Sequence, residues 1–292
     1  MTQLEQGLRM AKHNEVAASP TKAIEAPKRR KPLADRPLAV VAGWIVLAGL
    51  MGGLWEWAGR SGQVNPLFIS YPSAIGRALL KGLHGDLITV DARYTFVAVF
   101  LGFAGAAVLG IAVAFALAQN AYLKKVVDPF LTALNSLPRV ALAPLFLMWF
   151  GIGLFSHVLM AASLTFFVVL ANTTAGIESV DQDHLLLARL QGATRWQTFR
   201  LFIVPSALPG IFVGLELGFI FGTLGTVSGE MIVGEHGLGV RLSRDAGIFD
   251  TADYFGTLFA LVVISALLTF CFQITKNRLL GWQRLHVVQK SH

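Results

Sequence analysis

The sequence predicts an all-α membrane protein: a polytopic bundle of about six transmembrane helices with both termini in the cytoplasm. Three observations carry that expectation. The 292 residues are 54% hydrophobic and only 14% charged, where soluble domains carry roughly a quarter charged residues. Several apolar runs reach the roughly 20 residues that a bilayer core requires. Most of the 24 Lys and Arg fall in segments that alternate with those runs on one side of the membrane.

Residues 1–37 are polar and basic, with KRRK at 28–31. No apolar core precedes Leu38, so this stretch reads as a poorly ordered cytoplasmic tail and not as a cleavable signal peptide. The first span is 38–58, uncharged until Glu56. Residues 73–83 are too short to cross. Ser73 is placed to cap a helix there, with Ile75, Leu79 and Leu83 along one face and Arg77 and Lys81 on another, which predicts an amphipathic helix on the external surface. An ordinary external helix packed on the spans fits the same pattern.

The second span is 94–118, where Ala106 and Gly110 form a small-xxx-small pair suited to close helix contact. The third and fourth share 129–177, with a break at Gly151-Ile152-Gly153. The fifth runs from about 203 to 229 and the sixth from 254 to 275, ahead of a short cytoplasmic tail at 282–292. With the N-terminus inside, 1–37, 119–128, 178–200 and 276–292 are cytoplasmic and hold most of the basic residues. Basic residues that flank apolar spans, and do not line one face, argue against a nucleic-acid partner. The single cysteine, Cys271, lies in an apolar run and allows no disulfide within the chain.

The loop at 181–204 is richer than a connector needs to be. Asp181 and Asp183 are cap candidates for a short helix over 184–190, and Gly192 suits the left-handed residue that ends it. Thr194 and Gln197 then form a T-x-x-Q capping box for a second helix, with Pro205 near the start of the fifth span. The result is a folded knob carrying Arg189, Arg195, Arg200 and Trp196. It is built for a protein partner, or its arginines serve only the positive-inside rule.

Polar residues at membrane depth are costly and face the bundle interior or a wet cavity. Asn135, Ser136 and Arg139 lie beside Pro138 and Pro144, where broken helix is expected. Asn172, Thr173 and Thr174 sit near the inner end of the fourth span, Glu216 within the fifth and Glu230 near its outer end. These residues line a path, or they form buried Arg–Glu pairs and snorkelling contacts. Gly237 and Gly239 mark the following loop as a candidate external gate. His157, His184 and His236 lack the spacing of a metal site, and no nucleophile–base arrangement stands out.

Several motifs, in order from about Trp44 to Gln283, resemble the permeases of binding-protein-dependent ABC importers. The loop has G-x9-F-x-V-P from Gly192 to Pro205, similar to that family's EAA-x3-G-x9-I-x-L-P. Counting back places the family's Glu-Ala-Ala on Leu186, Leu187 and Ala188, so the Glu is absent. YPSAIGRAL at 71–79, NSLPRVALAPLFLMWFGIG at 135–153 and VSGEMIVGEHGLG at 227–239 resemble segments of the aliphatic sulfonate, taurine and nitrate branch. The resemblance implies a type I importer permease in the bacterial inner membrane, surrounded by lipid and paired with a second permease subunit, most simply an identical one. Two cytoplasmic ATP-binding subunits would bind ATP and Mg, an external binding protein would deliver a small anionic solute, and this chain would bind no cofactor. Leu186, Leu187, Ala188, Arg189, Gly192, Ala193, Thr194 and Arg195 would then form the coupling contact. Trp196 would pack into the knob and Pro205 would set the start of the fifth span. The chain has no G-x4-G-K-[ST] loop of its own. An ATP-independent secondary transporter is the alternative. It predicts inverted repeats and midplane acids, whereas no repeat relates the two halves and Glu216 is the one candidate acid.

Overall fold

The computed structural model describes residues 37–62, 65 and 67–279. The predicted tails at 1–37 (Pro37 excepted) and 282–292 lie outside the described residues. Among the described residues every regular element is helical: α1 Pro37–Arg60, α2 Pro72–His84, α3 Leu87–Gln119, α4 Ala121–Asn135, α5 Ala143–Phe150, α6 Leu154–Glu178, α7 Gln182–Leu190, α8 Arg195–Ile232, α9 Leu238–Gly247 and α10 Thr251–Leu279. The chain divides into two units at Gly52/Gly53. The described part of the first, 37–52, is one apolar helical segment.

Five helices, α1, α3, α6, α8 and α10, are long and apolar enough to span a membrane. The remaining expected span is not a straight helix. α4 starts at Ala121, so Lys124, Lys125 and Asp128, expected in a loop, are helical. The chain then breaks and resumes over Arg139–Phe150 at an angle of 81°. The break follows from Pro138, which excludes the preceding residue from helical geometry. Asn120 caps α4 by accepting from the N–H groups of Tyr122 and Leu123.

α3, α6 and α8 form the centre of the bundle. A bilayer supplies no hydrophobic force between helices, so association depends on close backbone approach and packing. Gly210 of α8 faces Gly176 of α6 so closely that a Cβ on Gly210 would lie 2.8 Å from the Gly176 Cα and 2.6 Å from the Asn172 carbonyl oxygen. On α3, a Cβ on Gly110 would stand 3.0 Å from the Phe166 carbonyl oxygen. Phe103, Phe219 and Phe272, from α3, α8 and α10, meet with ring centroids 5.3–5.8 Å apart and bring α10 onto this core.

α2 lies against α10, with Ile75 and Leu79 on the shared face, while Leu83 is 44% exposed. Ser73 does not cap α2, as the sequence suggested. Tyr71 takes the cap position and Pro72 the first turn. Ser73 is claimed by Glu56 at the end of α1, donating its N–H to Oε2 at 2.9 Å and its hydroxyl to Oε1 at 2.7 Å. With α2 starting at Pro72, Ser73 falls inside the first turn, and its oxygen accepts instead from Arg60 Nη2 at 3.1 Å.

Replacing Gly210 by Leu should destabilise the detergent-solubilised protein by about 1–3 kcal/mol or more, the usual cost of overpacking. Gly105→Leu is the control, since a Cβ there meets nothing within 4 Å. Equal melting temperatures for the two variants would contradict this account of the helix contact.

Candidate functional site

The knob between α6 and α8 is assembled from local signals. The Asp181 side chain accepts from the Asp183 N–H at 2.9 Å and starts α7. α7 ends where Gly192 adopts φ +78°, a conformation that glycine alone enters without a steric penalty. The N–H groups of Gly192 and Ala193 return to the carbonyls of Arg189 and Ala188, each at 3.0 Å. Thr194 and Gln197 complete the capping box: the Gln197 N–H donates to Thr194 Oγ1 at 3.3 Å, and the Thr194 N–H to Gln197 Oε1 at 2.8 Å. α8 begins at once. Its ladder widens to a π turn over Phe199–Ile203, just ahead of Pro205, whose ring supplies no N–H.

Only Ala188 of the knob is buried. Leu186, Leu187, Leu190 and Trp196 are 55%, 54%, 75% and 66% exposed, and Arg189, Thr194 and Arg195 are exposed as well. Trp196 therefore packs onto the knob by one ring face only and is otherwise exposed. One face of its ring stacks on Phe199 at 5.7 Å, and Phe199 meets Phe115 of α3 edge-on at 5.3 Å. That aromatic ladder, absent from the sequence reading, fastens the knob to the bundle. Leu186, at the position of the missing Glu, is 55% exposed. The Asp181 cap, the buried Ala188 and the Gly192 turn hold α7.

Beside the knob lies a cleft of about 580 Å³ between α3, α4, α6 and α7. Its walls include Lys124, Asp128, Asn135, Phe167, Thr174, Glu178 and Arg189, so one cavity touches both the span interior and α7. Lys124 and Glu178 form an ion pair across it. Arg139 stands next to this cleft. Its guanidinium sits over the Phe167 ring at 4.4 Å and donates to the Asn135 carbonyl at 3.1 Å. It makes no ion pair with a described residue. Ser136 is turned to the Thr132 carbonyl at 2.9 Å.

Other polar positions are used for packing. Asn172 donates to the Val168 carbonyl at 2.8 Å at the α6–α8 crossing, and Thr173 is wholly buried, while its neighbour Thr174 reaches the cleft. Glu216 is far from forming an Arg–Glu pair with Arg139. It accepts from Gln273 Nε2 at 2.8 Å and pairs with Lys276 of α10 at 3.6 Å.

At the opposite end of α8 the structure joins residues that the sequence kept apart. Glu230 is 1% exposed. Its Oε2 accepts from the Thr95 hydroxyl and the Gly239 N–H, both at 2.9 Å. Thr95 in turn accepts from the Leu238 N–H at 2.8 Å, and the Gly237 N–H reaches Asp91 at 3.4 Å. Gly237 has φ +120°, and a Cβ on Gly239 would lie 2.7 Å from the Glu230 Cβ. Arg241 of α9 pairs with Asp91 at 3.6 Å and donates to Thr257 of α10 at 3.1 Å. Burial pushes the Asp245 carboxyl up from its ordinary range, and Arg244 and Arg241 offset part of that. Thr95 and Asp91 carried no signal in the sequence. Glu230, Gly237 and Gly239 did, but as separate candidates.

A family described as "Binding-protein-dependent transport system inner membrane component" matches residues 106–280. The chain is 38% identical over 162 residues to the riboflavin transport system permease protein RibX of Chloroflexus aurantiacus, a match covering 56% of this chain and 60% of that protein. It is 32% identical to the formylaminopyrimidine transport permease protein ThiX of Halalkalibacterium halodurans over 79% of this chain and 92% of that one. Against the taurine transport system permease protein TauC of Escherichia coli it is 27% identical, covering 78% and 85%. Among solved structures, a chain of the MetNI methionine ABC transporter in an inward-facing conformation shares the fold with a TM-score of 0.52 at 22% identity, covering 65% of this chain and 90% of that one.

Thr194→Ala should cost the knob about 1 kcal/mol, the usual loss for a helix cap. Amide hydrogen exchange over 194–198 should speed up accordingly. Unchanged protection there would mean that tertiary contacts and not the cap hold the start of α8.

Proposed function

We propose a function from one premise: the chain belongs to the family of binding-protein-dependent transport system inner membrane components. It is the transmembrane permease subunit of an ATP-binding-cassette importer in the inner (plasma) membrane. Two permease subunits enclose the path, two cytoplasmic ATPases grip α7 and the start of α8, and an external binding protein delivers the solute. The observation that carries this reading is the knob itself. Four large apolar side chains, Leu186, Leu187, Leu190 and Trp196, stand exposed on a segment held rigid by a cap, a left-handed glycine and a capping box. Exposed apolar clusters of this kind mark protein contacts, and Arg189 and Arg195 would supply the charged margin.

The mechanical consequence follows from connectivity. α8 stays helical from the knob at Arg195 to Ile232, through the π turn at Phe199–Ile203, so a displacement of the knob reaches the Glu230 end through one helical span. ATP binding and hydrolysis in the partner subunits would drive that displacement and alternate the access of the cleft.

The solute is a small anion in this reading, because Arg139 brings to the cleft margin a cation without a carboxylate partner among the described residues. A second reading is a nitrogen heteroaromatic solute. Phe167 lines the cleft, and two relatives are named for riboflavin and formylaminopyrimidine transport.

Gly192→Asp should reduce uptake and binding-protein-stimulated ATP hydrolysis by at least about tenfold, a change of ~1.4 kcal/mol in coupling, with membrane insertion unchanged. Normal transport by that variant would sink the assignment. Arg139→Glu should abolish uptake of an anionic solute delivered by the cognate binding protein. Undiminished anion uptake would remove Arg139 from the path, and retained uptake of a neutral heteroaromatic would favour the second reading.

A further inference from the structure

We infer that Glu230 and Thr95 form a clasp that holds α9 against the bundle in the resting state, and that docking of the binding protein must open it. This rests on the function proposed above. It makes Glu230 a positioning residue and not a solute ligand.

The geometry points to a device that is made to release. A buried carboxylate needs its oxygens satisfied, because an unpaired buried polar atom carries a desolvation cost. Oε2 of Glu230 has two donors, but Oε1 has no hydrogen-bond partner. No cation lies against it: Arg241 is engaged with Asp91 and Asp245. What holds the carboxylate is the N-terminus of α9. The free N–H groups of a helix start favour negative charge, and here the Gly239 N–H reaches Glu230 directly while the Leu238 N–H reaches it through Thr95. The loop is shaped around the carboxyl group, since neither Gly237 nor Gly239 has room for a Cβ beside it. Thr95 comes from α3, so two core helices meet at one half-satisfied group.

The far end of α9 offers a handle. Ile248 and Phe249 are 67% and 57% exposed. Phe249 holds φ +57°, a left-handed conformation that is strained for a non-glycine residue. A protein docking on these two residues would act on the helix whose opposite end is the clasp.

The test uses the complete reconstituted complex. Thr95→Val keeps the shape of the side chain and removes the two hydrogen bonds that Thr95 makes, to Glu230 and from the Leu238 N–H, leaving only the Gly239 N–H on Glu230. ATP hydrolysis without binding protein should rise by about fivefold or more, the lower range of allosteric coupling, and the ratio of stimulated to basal rate should fall. Glu230→Ala should do the same, and Glu230→Gln, which keeps an acceptor oxygen, should raise the basal rate less than Glu230→Ala. A merely structural role would lower basal and stimulated rates together, and that result would overturn the clasp. A second variant covers poor folding of the first. With Cys271→Ser as background, oxidation of the pair Thr95→Cys and Leu238→Cys should block uptake, and a reductant should restore it. Full uptake by the cross-linked protein would also overturn the clasp. Failure of the unsubstituted chain to assemble with an ATPase would instead strike the proposed function itself.

Discussion

The contact between α6 and α8 at Gly176 and Gly210 is the constraint from which the remaining geometry follows. Lipid tails are as apolar as the helices, so close approach holds the pair together, with one buried hydrogen bond from the Thr165 hydroxyl to the Gly218 carbonyl at 2.9 Å. A Cβ on Gly210 has nowhere to go, and the same helix continues with Gly214 and Gly218 against Val169. α8 is thereby fixed along α6 over several turns. Its 38 residues, at about 1.5 Å each, make a rod of roughly 57 Å with the knob at one end and Glu230 at the other. A loosely packed α8 would bend under a push on the knob, whereas a tightly packed one passes it on.

Charges inside the bundle sort by partner. Glu216 is matched by Lys276 and Gln273, and Lys124 by Glu178. The Lys124–Glu178 pair is largely exposed and contributes little to stability. Arg139 and Glu230 differ, since neither has an opposite charge against it among the described residues. Arg139 leans on an aromatic face and a carbonyl, Glu230 on a hydroxyl and a helix N-terminus. Incompletely matched groups are where a transported ion or a conformational change can act, and Glu230 lies at the end of the rod away from the knob.

Most of the knob was legible in the sequence because its determinants are local. Asp181, Gly192 and the Thr194–Gln197 pair act within three or four residues of themselves, and the structure holds each in the geometry those residue types favour. The apolar runs gave the helices for a similar reason. What the sequence concealed lies at long range. Ser73 carried a cap signal, yet a carboxylate 17 residues upstream claims it. Trp196 was expected inside the knob, but the ring that fastens the knob is Phe199, reaching Phe115 on another helix. Glu230 and Thr95 are 135 residues apart, and no periodicity relates them. The bend at Pro138 was foreseen as a break, while its angle and the helical state of Lys124 to Asp128 depend on neighbours.

The role proposed for the knob requires that an ATPase cover it. Leu190 is 75% exposed in the chain alone, which makes it a sensitive reporter. With Cys271→Ser as background, a single Leu190→Cys substitution can be probed with a membrane-impermeant maleimide from the cytoplasmic side. Labelling should be fast in the isolated permease and strongly suppressed once the ATP-binding subunits are added. Equal labelling in a complex that transports solute and hydrolyses ATP would contradict the central claim.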